Sequence, residues 1–277
     1  MNTSLLEKKT SLDLPEFLQF LWTHFGYDFR EYSMAHLQRR IQHRMNVDGC
    51  TSLASFAQNL LLHKEAILPL LDDLSINVTQ MFRDPRFFRE LRDVLPTLFH
   101  ASHPIKIWHA GCATGQEAYS MAILLEELGK ESQSLIYGTD FHPKILERAR
   151  EGIFSIQAMR EYTENYLASG GTGCFSNYYR AEYGHAVMAR RLRESITFSQ
   201  HNLVTDFAFG EMNAVLCRNV LIYFNKSLQN RVLQRFRDCL APGGILCLGS
   251  KEDLAYSSVA SDFVVVSDWA RIYRKKG

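Results

Sequence analysis

Several features are missing from this chain of 277 residues, and each absence excludes a class of protein. No apolar run approaches the roughly 18 residues that a membrane-spanning helix needs, and the first residues, MNTSLLEKKTS, do not form a signal peptide. The net charge is only +1, so any surface for nucleic acid or an anionic membrane must be local. The sequence also contains no internal repeat and no low-complexity segment.

Paired cysteines are missing as well. The six cysteines lie at positions 50, 112, 174, 217, 239 and 247, and no two of them form a C-x-x-C motif. This scatter favours reduced, unpaired thiols and a cytoplasmic protein. His100 and His103 are spaced like metal ligands, but no second pair has suitable spacing, so we expect loop histidines and no metal site.

The first 76 residues carry helical periodicity and predict a small all-α N-terminal domain. Asp13 and Glu16 form a capping-box pattern with Pro15 between them, and Gly26 is predicted to end this first helix. Three further amphipathic helices are predicted over residues 33–46, 52–62 and 64–76.

The helix predicted over residues 33–46 carries Arg39, Arg40 and Arg44 on the face opposite its apolar residues. A row of this kind is usually a solvated face. The alternative is a docking face for an acidic partner, because the guanidinium fork suits carboxylates. The residues alone leave both interpretations open.

Residues 77–101 are predicted to be a linker followed by a connecting helix. Asp84 and Pro85 suit the N-cap and first position of that helix. Arg83 lies next to the helix start, where the helix dipole disfavours a cation. This placement suggests a role for Arg83 elsewhere, although an ordinary surface arginine is the alternative.

Residues 102–277 alternate between strands and helices, which predicts an α/β domain. Strand Ile105–His109 leads through the small-residue turn 110–115 into a helix from Gln116. Gly111 and Gly115 allow a close backbone approach to a ligand, and the helix start offers unpaired N–H groups. Glycines in such a turn also serve tight packing, so this stretch alone does not decide between the two.

Polar residues follow the ends of three further strands. A strand over 135–139 ends at Asp140, where such folds hold ribose hydroxyls because a carboxylate accepts two O–H bonds. The alternative, a cap for the next helix, is weaker because Pro143 would occupy its third position. Strands over 196–200 and 214–217 end at Asn202-Leu203 and Arg218-Asn219 respectively.

The last two strands, over 263–266 and 270–273, are predicted to form an antiparallel hairpin after the strand over 245–248. Residues 152–194 interrupt the alternation and predict an inserted subdomain with a short hairpin. This order fits the Rossmann-like sheet of S-adenosylmethionine-dependent methyltransferases better than an all-parallel dinucleotide sheet. Ligands bind such sheets at the carboxyl ends of the strands, where the polar residues above converge.

Four motifs make the chain resemble the CheR-type methyltransferases, which methylate chemotaxis receptors, over nearly its whole length. Residues 77–84, NVTQMFRD, are similar to the family's N-x-T-x-F-F-R-[DE], and residues 111–120, GCATGQEAYS, to its A-x-[ST]-G-E-E-P-Y-S. Thr139-Asp140 matches the acid at the end of the family's second strand. Residues 217–225, CRNVLIYFN, match C-R-N-V-x-I-Y-F-[DN] almost letter for letter.

The resemblance implies S-adenosylmethionine as donor, S-adenosylhomocysteine as product, and a glutamate of a methyl-accepting chemoreceptor-type protein as acceptor. It implies catalytic roles for Arg83 and Tyr223, and receptor docking by Arg39, Arg40 and Arg44. The cofactor contacts that it implies are Asn77, Thr79, Arg83, Gly111, Glu117, Asp140, Asn202, Leu203, Arg218 and Asn219. We expect a cytoplasmic monomer with no nucleic-acid partner and no membrane insertion.

The chemistry that the resemblance implies requires mainly positioning. A glutamate side chain, with its ordinary pKa near 4.3, is already ionised at neutral pH, and a sulfonium is a good leaving group, so neither base nor metal is needed. Arg83 would hold the incoming carboxylate by a charge-assisted hydrogen bond. Two alternatives remain: another carboxylate acceptor on the same scaffold, or a non-catalytic cofactor-binding adaptor.

The chain departs from the family pattern at several positions, which indicates a divergent member. Gln116 and Ala118 replace a Glu and a Pro, and Met81 replaces a Phe. Ser250-Lys251-Glu252 stands where the family has a His-Ser-Glu type segment. Residues 178–193 lack a glycine-rich docking loop, so we do not expect docking on a receptor tail.

Overall fold

The computed structural model describes residues 12–75, 79–99 and 104–277. Asn77, His100 and His103 lie outside these ranges. The described residues form two compact units. One unit joins the N-terminal residues to Tyr223–Gln229, and the other comprises the remainder of the chain. In the part of the chain that the structure describes, no helix is both long enough and apolar enough to cross a membrane.

Within residues 12–75 the N-terminal unit has four α-helices, and the predicted capping box at the first is confirmed. The Asp13 carboxylate accepts a hydrogen bond from the Glu16 N–H at 2.8 Å, and the Glu16 carboxylate accepts one from the Asp13 N–H at 3.3 Å. Gly26 ends this helix with a left-handed φ of 78°. The helices are α1 (Leu14–Phe25), α2 (Met34–Val47), α3 (Leu53–Leu62) and α4 (Ile67–Leu74).

A later segment of the chain completes the N-terminal unit. The Ser33 N–H donates to the Tyr223 carbonyl at 2.8 Å, and the Asn225 N–H donates to the Glu31 carbonyl at 2.8 Å. Phe224 forms an antiparallel bridge with Tyr32. Their rings pack edge to face at 4.9 Å. The end of the CRNVLIYFN segment therefore folds with the N-terminal helices.

The larger unit is built on a seven-stranded sheet with the order β6-β2-β1-β7-β8-β10-β9. Its strands are β1 (Ile105–Ala110), β2 (Ser134–Asp140), β6 (Ile196–Gln200), β7 (Met212–Cys217), β8 (Leu240–Leu248), β9 (Phe263–Ser267) and β10 (Ile272–Lys275). The first five pair in parallel, and β10 is antiparallel to both β8 and β9. The predicted Rossmann-like sheet with a terminal antiparallel hairpin is confirmed.

The helices of the larger unit are α5 (Pro85–Val94), α6 (Gln116–Glu127), α7 (Pro143–Glu151), α8 (Ala158–Ala168) and α9 (Arg190–Glu194), while α10 (Lys226–Cys239) begins in the N-terminal unit. The predicted connecting helix α5 and the predicted helix α6 after β1 are confirmed, and the insertion adds α8 and α9. Strand β1 is buried on both faces, as Ile107 and Trp108 show. Helix α6 is buried nearly all round, with Ala118 and Tyr119 in the core. The central strand and α6 thus hold the turn between them in a fixed place.

The insertion contains the predicted hairpin within a small antiparallel sheet of order β3-β5-β4. These strands are β3 (Ile153–Ser155), β4 (Tyr179–Glu182) and β5 (His185–Met188). Tyr183 and Gly184 form the two-residue turn with φ values of 46° and 78°, the conformation that tight hairpins need. Tyr178 is buried before the hairpin instead of within it.

Two predicted boundaries near the C-terminus are wrong. Residues 241–244 are a bulge within β8 and not a turn before it, because Leu240 pairs with Met212 and Ile245 pairs with Ala214. Gly243, with φ of 75°, allows the extra residues to stay in the sheet. Strand β10 begins at Ile272 instead of Ala270, because Arg271 closes a turn on Asp268.

We predict that Gly111→Ala destabilises the larger unit by about 3 kcal/mol, because the left-handed conformation and a side-chain collision act together. Gly111 has φ of 77°, and a Cβ would lie 2.6 Å from Val220 Cγ2. Gly129→Ala is the matched control: its φ is 63°, but a Cβ there would have no neighbour within 4 Å. Urea denaturation should show a loss near 1 kcal/mol for the control; equal losses would contradict the role of the collision.

Candidate active site

The turn after β1 is tied to the end of β2. The N–H groups of Gly111 and Cys112 both donate to the Thr139 carbonyl at 2.8 Å. Gly115, with φ of 88°, precedes α6, and a Cβ there would lie 3.0 Å from the Phe198 ring. These glycines therefore meet packing demands of their own, and a cofactor contact at Gly111 stays a prediction.

Asp140 at the end of β2 holds the same turn from its other side. Its carboxylate accepts hydrogen bonds from the Ala113 N–H at 3.0 Å and the His142 N–H at 3.1 Å. Burial raises the pKa of Asp140, and these backbone donors oppose that rise. His142 and not Asp140 occupies the N-cap of α7. The structure thus gives Asp140 a structural task besides the ribose contact, which stays a prediction.

The segment before α5 is anchored to the larger unit. The Phe82 N–H donates to Ser120 Oγ at 2.8 Å, and Asn165 Nδ2 donates to the Met81 carbonyl at 3.2 Å. Phe82 and Asp84 both have left-handed backbones, with φ of 53° and 57°. Non-glycine residues in this region are sterically disfavoured, so other contacts must hold them there.

Asp84 and Pro85 occupy the predicted N-cap and first position of α5. The Asp84 carboxylate, however, makes no capping bond. It pairs instead with Arg218, whose Nη2 lies 2.6 Å from Asp84 Oδ2. A charge-assisted bond to a guanidinium outweighs a neutral backbone donor.

Arg218 joins two carboxylates that are far apart in the sequence. Its Nη1 lies 3.0 Å from Glu117 Oε2 in the first turn of α6, while Nη2 binds Asp84. The guanidinium carbon lies 3.9 Å from the centroid of the Phe87 ring. The side chain is only 2% exposed, so this charge is compensated inside the protein. The structure therefore brings together Glu117 and Arg218, two residues of the predicted site.

Glu117 is held at both carboxylate oxygens. Its Oε1 lies 3.0 Å from His109 Nδ1, and its Oε2 accepts from Arg218. Burial raises the pKa of Glu117, but the hydrogen bonds from His109 and Arg218 and the positive charge of Arg218 lower it overall. Glu117 is consequently an ionised acceptor at neutral pH.

Asn219 is fixed by Glu252, which was not among the predicted site residues. The Glu252 carboxylate accepts hydrogen bonds from the N–H groups of Asn219 at 3.0 Å, Val220 at 2.8 Å, Ile222 at 3.3 Å and Gly249 at 2.6 Å. Asn219 is left-handed, with φ of 62°. The family's His-Ser-Glu type segment was the signal for Glu252, since only its glutamate is retained here.

The turn after β6 is closed by its own side chains. Asn202 Oδ1 accepts from the Val204 N–H at 2.9 Å, and the Asn202 N–H donates to Asp206 Oδ2 at 2.9 Å. Leu203 is buried, and its carbonyl accepts from Arg235 at 2.6 Å. Cofactor contacts by Asn202, Leu203 and the half-buried Thr79 stay predictions.

Tyr223 and the three arginines of α2 belong to the N-terminal unit. The Tyr223 ring lies 5.2 Å from the His36 ring. Arg44 Nε lies 2.5 Å from Asp73 Oδ2, which joins α2 to α4. Arg39 is exposed and Arg40 is half-buried. Catalysis by Tyr223 and receptor docking by the arginines stay predictions.

The charges of the candidate site fit a cationic cofactor. Carboxylates outnumber guanidinium groups among its residues, with Asp84, Glu117, Asp140 and Glu252 against Arg83 and Arg218. An acidic excess attracts a sulfonium, and carboxylate oxygens accept hydrogen bonds from hydroxyl and ammonium groups. The residues present are therefore suited to S-adenosylmethionine.

Comparisons with known proteins identify both units. Residues 77–269 match a family model described as CheR methyltransferase, SAM binding domain, and residues 12–75 match CheR methyltransferase, all-alpha domain. "Putative methyltransferase Cher3" of Pseudomonas putida is 43% identical over 269 residues, covering 97% of this chain and 98% of that protein. "Chemotaxis protein methyltransferase" of Listeria monocytogenes is 30% identical over 235 residues, covering 83% and 85%. "Chemotaxis protein methyltransferase 2" of Pseudomonas aeruginosa is 28% identical over 256 residues, covering 90% and 89%.

We predict that Glu252→Gln lowers the free energy of unfolding by about 2 kcal/mol or more, because an amide NH₂ would face backbone donors that lose their acceptor. Affinity for S-adenosylmethionine should fall as the Asn219 turn loosens. Glu211→Gln, at an exposed glutamate, is the control and should change neither quantity. Chemical denaturation and calorimetric binding measure both effects; a Glu252→Gln protein with unchanged stability would refute this role.

Proposed function

Because the chain belongs to the CheR methyltransferase family and is an S-adenosylmethionine-dependent methyltransferase, we propose that it methylates glutamate side chains of a chemoreceptor-type signalling protein. The products are a glutamyl methyl ester and S-adenosylhomocysteine. The observation that carries this proposal is the match of both CheR domains, in order, over nearly the whole chain. Relatives named chemotaxis protein methyltransferase support the same acceptor class.

In this proposal the residues of the larger unit bind S-adenosylmethionine and orient it for methyl transfer. Glu117 and Asp140 accept hydrogen bonds from the donors of the cofactor, which supplies the methyl group on its sulfonium when bound. Asn219 presents its side chain from the turn that Glu252 holds. The Arg218 fork keeps Glu117 ionised and in place. The acceptor glutamate is itself ionised at neutral pH, so no residue has to remove a proton from it.

Arg83 is proposed to hold the acceptor carboxylate. Its backbone is set by its neighbour Asp84, which Arg218 anchors, and the Arg83 carbonyl lies 3.5 Å from Arg218 Nη1. A guanidinium can grip a carboxylate through two parallel hydrogen bonds, which fixes its direction of approach. Tyr223 is proposed as a second orienting residue on the strength of the motif alone.

Receptor docking is proposed for the arginine face of α2, with Arg39 its most exposed member. Arg44 contributes mainly through its ion pair with Asp73. We propose that the protein acts as a cytoplasmic monomer. The six cysteines are all free, as a reducing compartment requires.

We predict that the purified protein transfers labelled methyl groups from S-adenosylmethionine to cytoplasmic fragments of a chemoreceptor from the same organism. Glutamyl methyl esters hydrolyse in base, so volatile labelled methanol should be released, and mass spectrometry should map the label to glutamates. A receptor fragment with those glutamates changed to aspartate is the control. Base-stable label, transfer to small carboxylates only, or binding without any transfer would contradict the proposal.

We predict that Arg83→Ala lowers turnover by about 100-fold, because a misaligned acceptor loses the advantage of orientation. The KM for the receptor fragment should rise as well, since the charged contact is lost. Arg160→Ala removes an exposed arginine that pairs with Glu164 at 3.2 Å and serves as the control. Full turnover by Arg83→Ala, with cofactor binding unchanged, would show that Arg83 does not orient the acceptor.

A further inference from the structure

His109 is a buried histidine in the central strand to which the proposed mechanism assigns no task. His109 is 1% exposed, and in the sheet it lies opposite Gly138 of β2 and Leu216 of β7. Ile107, on the same face of β1, and Leu216 are fully apolar and buried. An apolar side chain would fill this position without the cost of burying a polar ring.

The hydrogen bond to Glu117 fixes which nitrogen of His109 carries a proton. An ionised carboxylate only accepts hydrogen bonds, so the 3.0 Å contact between His109 Nδ1 and Glu117 Oε1 requires Nδ1 to be the donor. Among the described residues, His109 Nε2 has no hydrogen-bond partner. His109 therefore donates a hydrogen bond through Nδ1, while its Nε2 is buried without a partner among the described residues.

His109 and Arg218 bind different oxygens of Glu117. A guanidinium and a carboxylate tend to pair through two parallel hydrogen bonds. In the structure the Glu117–Arg218 pair is single, from Nη1 to Oε2, because Nη2 binds Asp84. The second oxygen, Oε1, is held by His109 Nδ1, and each Glu117 oxygen keeps the capacity to accept another hydrogen bond.

We propose that His109 is a positioning residue, which fixes the Glu117 carboxylate so that its free lone pairs accept from hydroxyl or ammonium donors of S-adenosylmethionine. The proposal rests on the cofactor contact proposed for Glu117. Being buried, His109 acts through that carboxylate and not by touching the cofactor. Without it, Oε1 loses its donor, the Glu117 carboxylate can rotate about its single bond to Arg218, and cofactor affinity falls.

Two substitutions separate this role from space filling. In His109→Asn the amide nitrogen stands the same number of bonds from Cβ as Nδ1, so the donor is retained. His109→Leu fills the space without a donor. Calorimetric Kd values for S-adenosylmethionine, measured without any acceptor, should stay within about threefold of wild type for His109→Asn and rise about tenfold for His109→Leu.

A spectroscopic signature tests the hydrogen bond itself. Nitrogen NMR of histidine-labelled protein should show a proton on Nδ1 of His109, with an altered resonance in Glu117→Gln. A proton on Nε2 alone would overturn the proposal. So would wild-type affinity in a folded His109→Leu protein, or equal losses of affinity and melting temperature in the leucine and asparagine variants.

Glu117→Gln distinguishes a failure of the His109 positioning role from a failure of the Glu117 cofactor contact. If this change weakens binding of S-adenosylmethionine while His109→Leu does not, only the positioning role is wrong. If it leaves Kd unchanged, the cofactor contact of Glu117 is wrong and the role of His109 falls with it. Neither result depends on the acceptor, so the assignment of the receptor substrate is tested separately by the methyl-transfer assay.

Discussion

The Arg218 guanidinium, buried and shared between Glu117 and Asp84, is the interaction on which the candidate site depends. A buried charge persists only when its partners are in place, and removing one partner leaves an uncompensated ion. The two carboxylates come from the first turn of α6 and from the segment before α5, and Phe87 covers the guanidinium. One side chain at the end of β7 therefore fixes the geometry of two other segments. Asp84, which binds this guanidinium, occupies the N-cap of α5 with a left-handed backbone, and its side chain makes no capping bond.

Two other turns at the carboxyl edge of the sheet are held in a second way, by a buried carboxylate that accepts hydrogen bonds from backbone N–H groups. Asp140 holds the turn between β1 and α6, and Glu252 holds the turn after β7. Backbone groups in such turns have no strand or helix to satisfy them, and leaving them unpaired inside the protein is costly. The device allows Asn219 to keep a backbone conformation that few side chains adopt. Acidic residues at this edge therefore have structural duties whether or not they also contact the cofactor.

The sequence predicted what local patterns determine. The capping box of α1, the terminal antiparallel hairpin and the placement of Asp140 at a strand end all follow from short-range rules. Contacts that depend on a distant partner were not predicted. Asp84 occupies its predicted N-cap position, but its carboxylate binds Arg218, far along the chain, and makes no capping bond. Glu252 could not be assigned from its neighbours, because its four donors are defined only once β7 and β8 lie side by side. The bulge in β8 also depends on a distant partner. Residues 241–244 have the composition of a turn, but pairing with β7 on both sides of them keeps them within the strand.

The return of Tyr223–Gln229 to the N-terminal helices limits how the two parts of this chain can be separated by evolution or by engineering. A fragment beginning at residue 79 would leave Phe224, which is 6% exposed in the intact chain, without the Tyr32 ring. It would also remove the partners of the Tyr223 carbonyl and the Asn225 N–H. Exchange of the helical part between relatives therefore requires a compatible 223–229 segment. Inheritance of the two parts is coupled through this seven-residue segment, whose first three residues end the CRNVLIYFN motif.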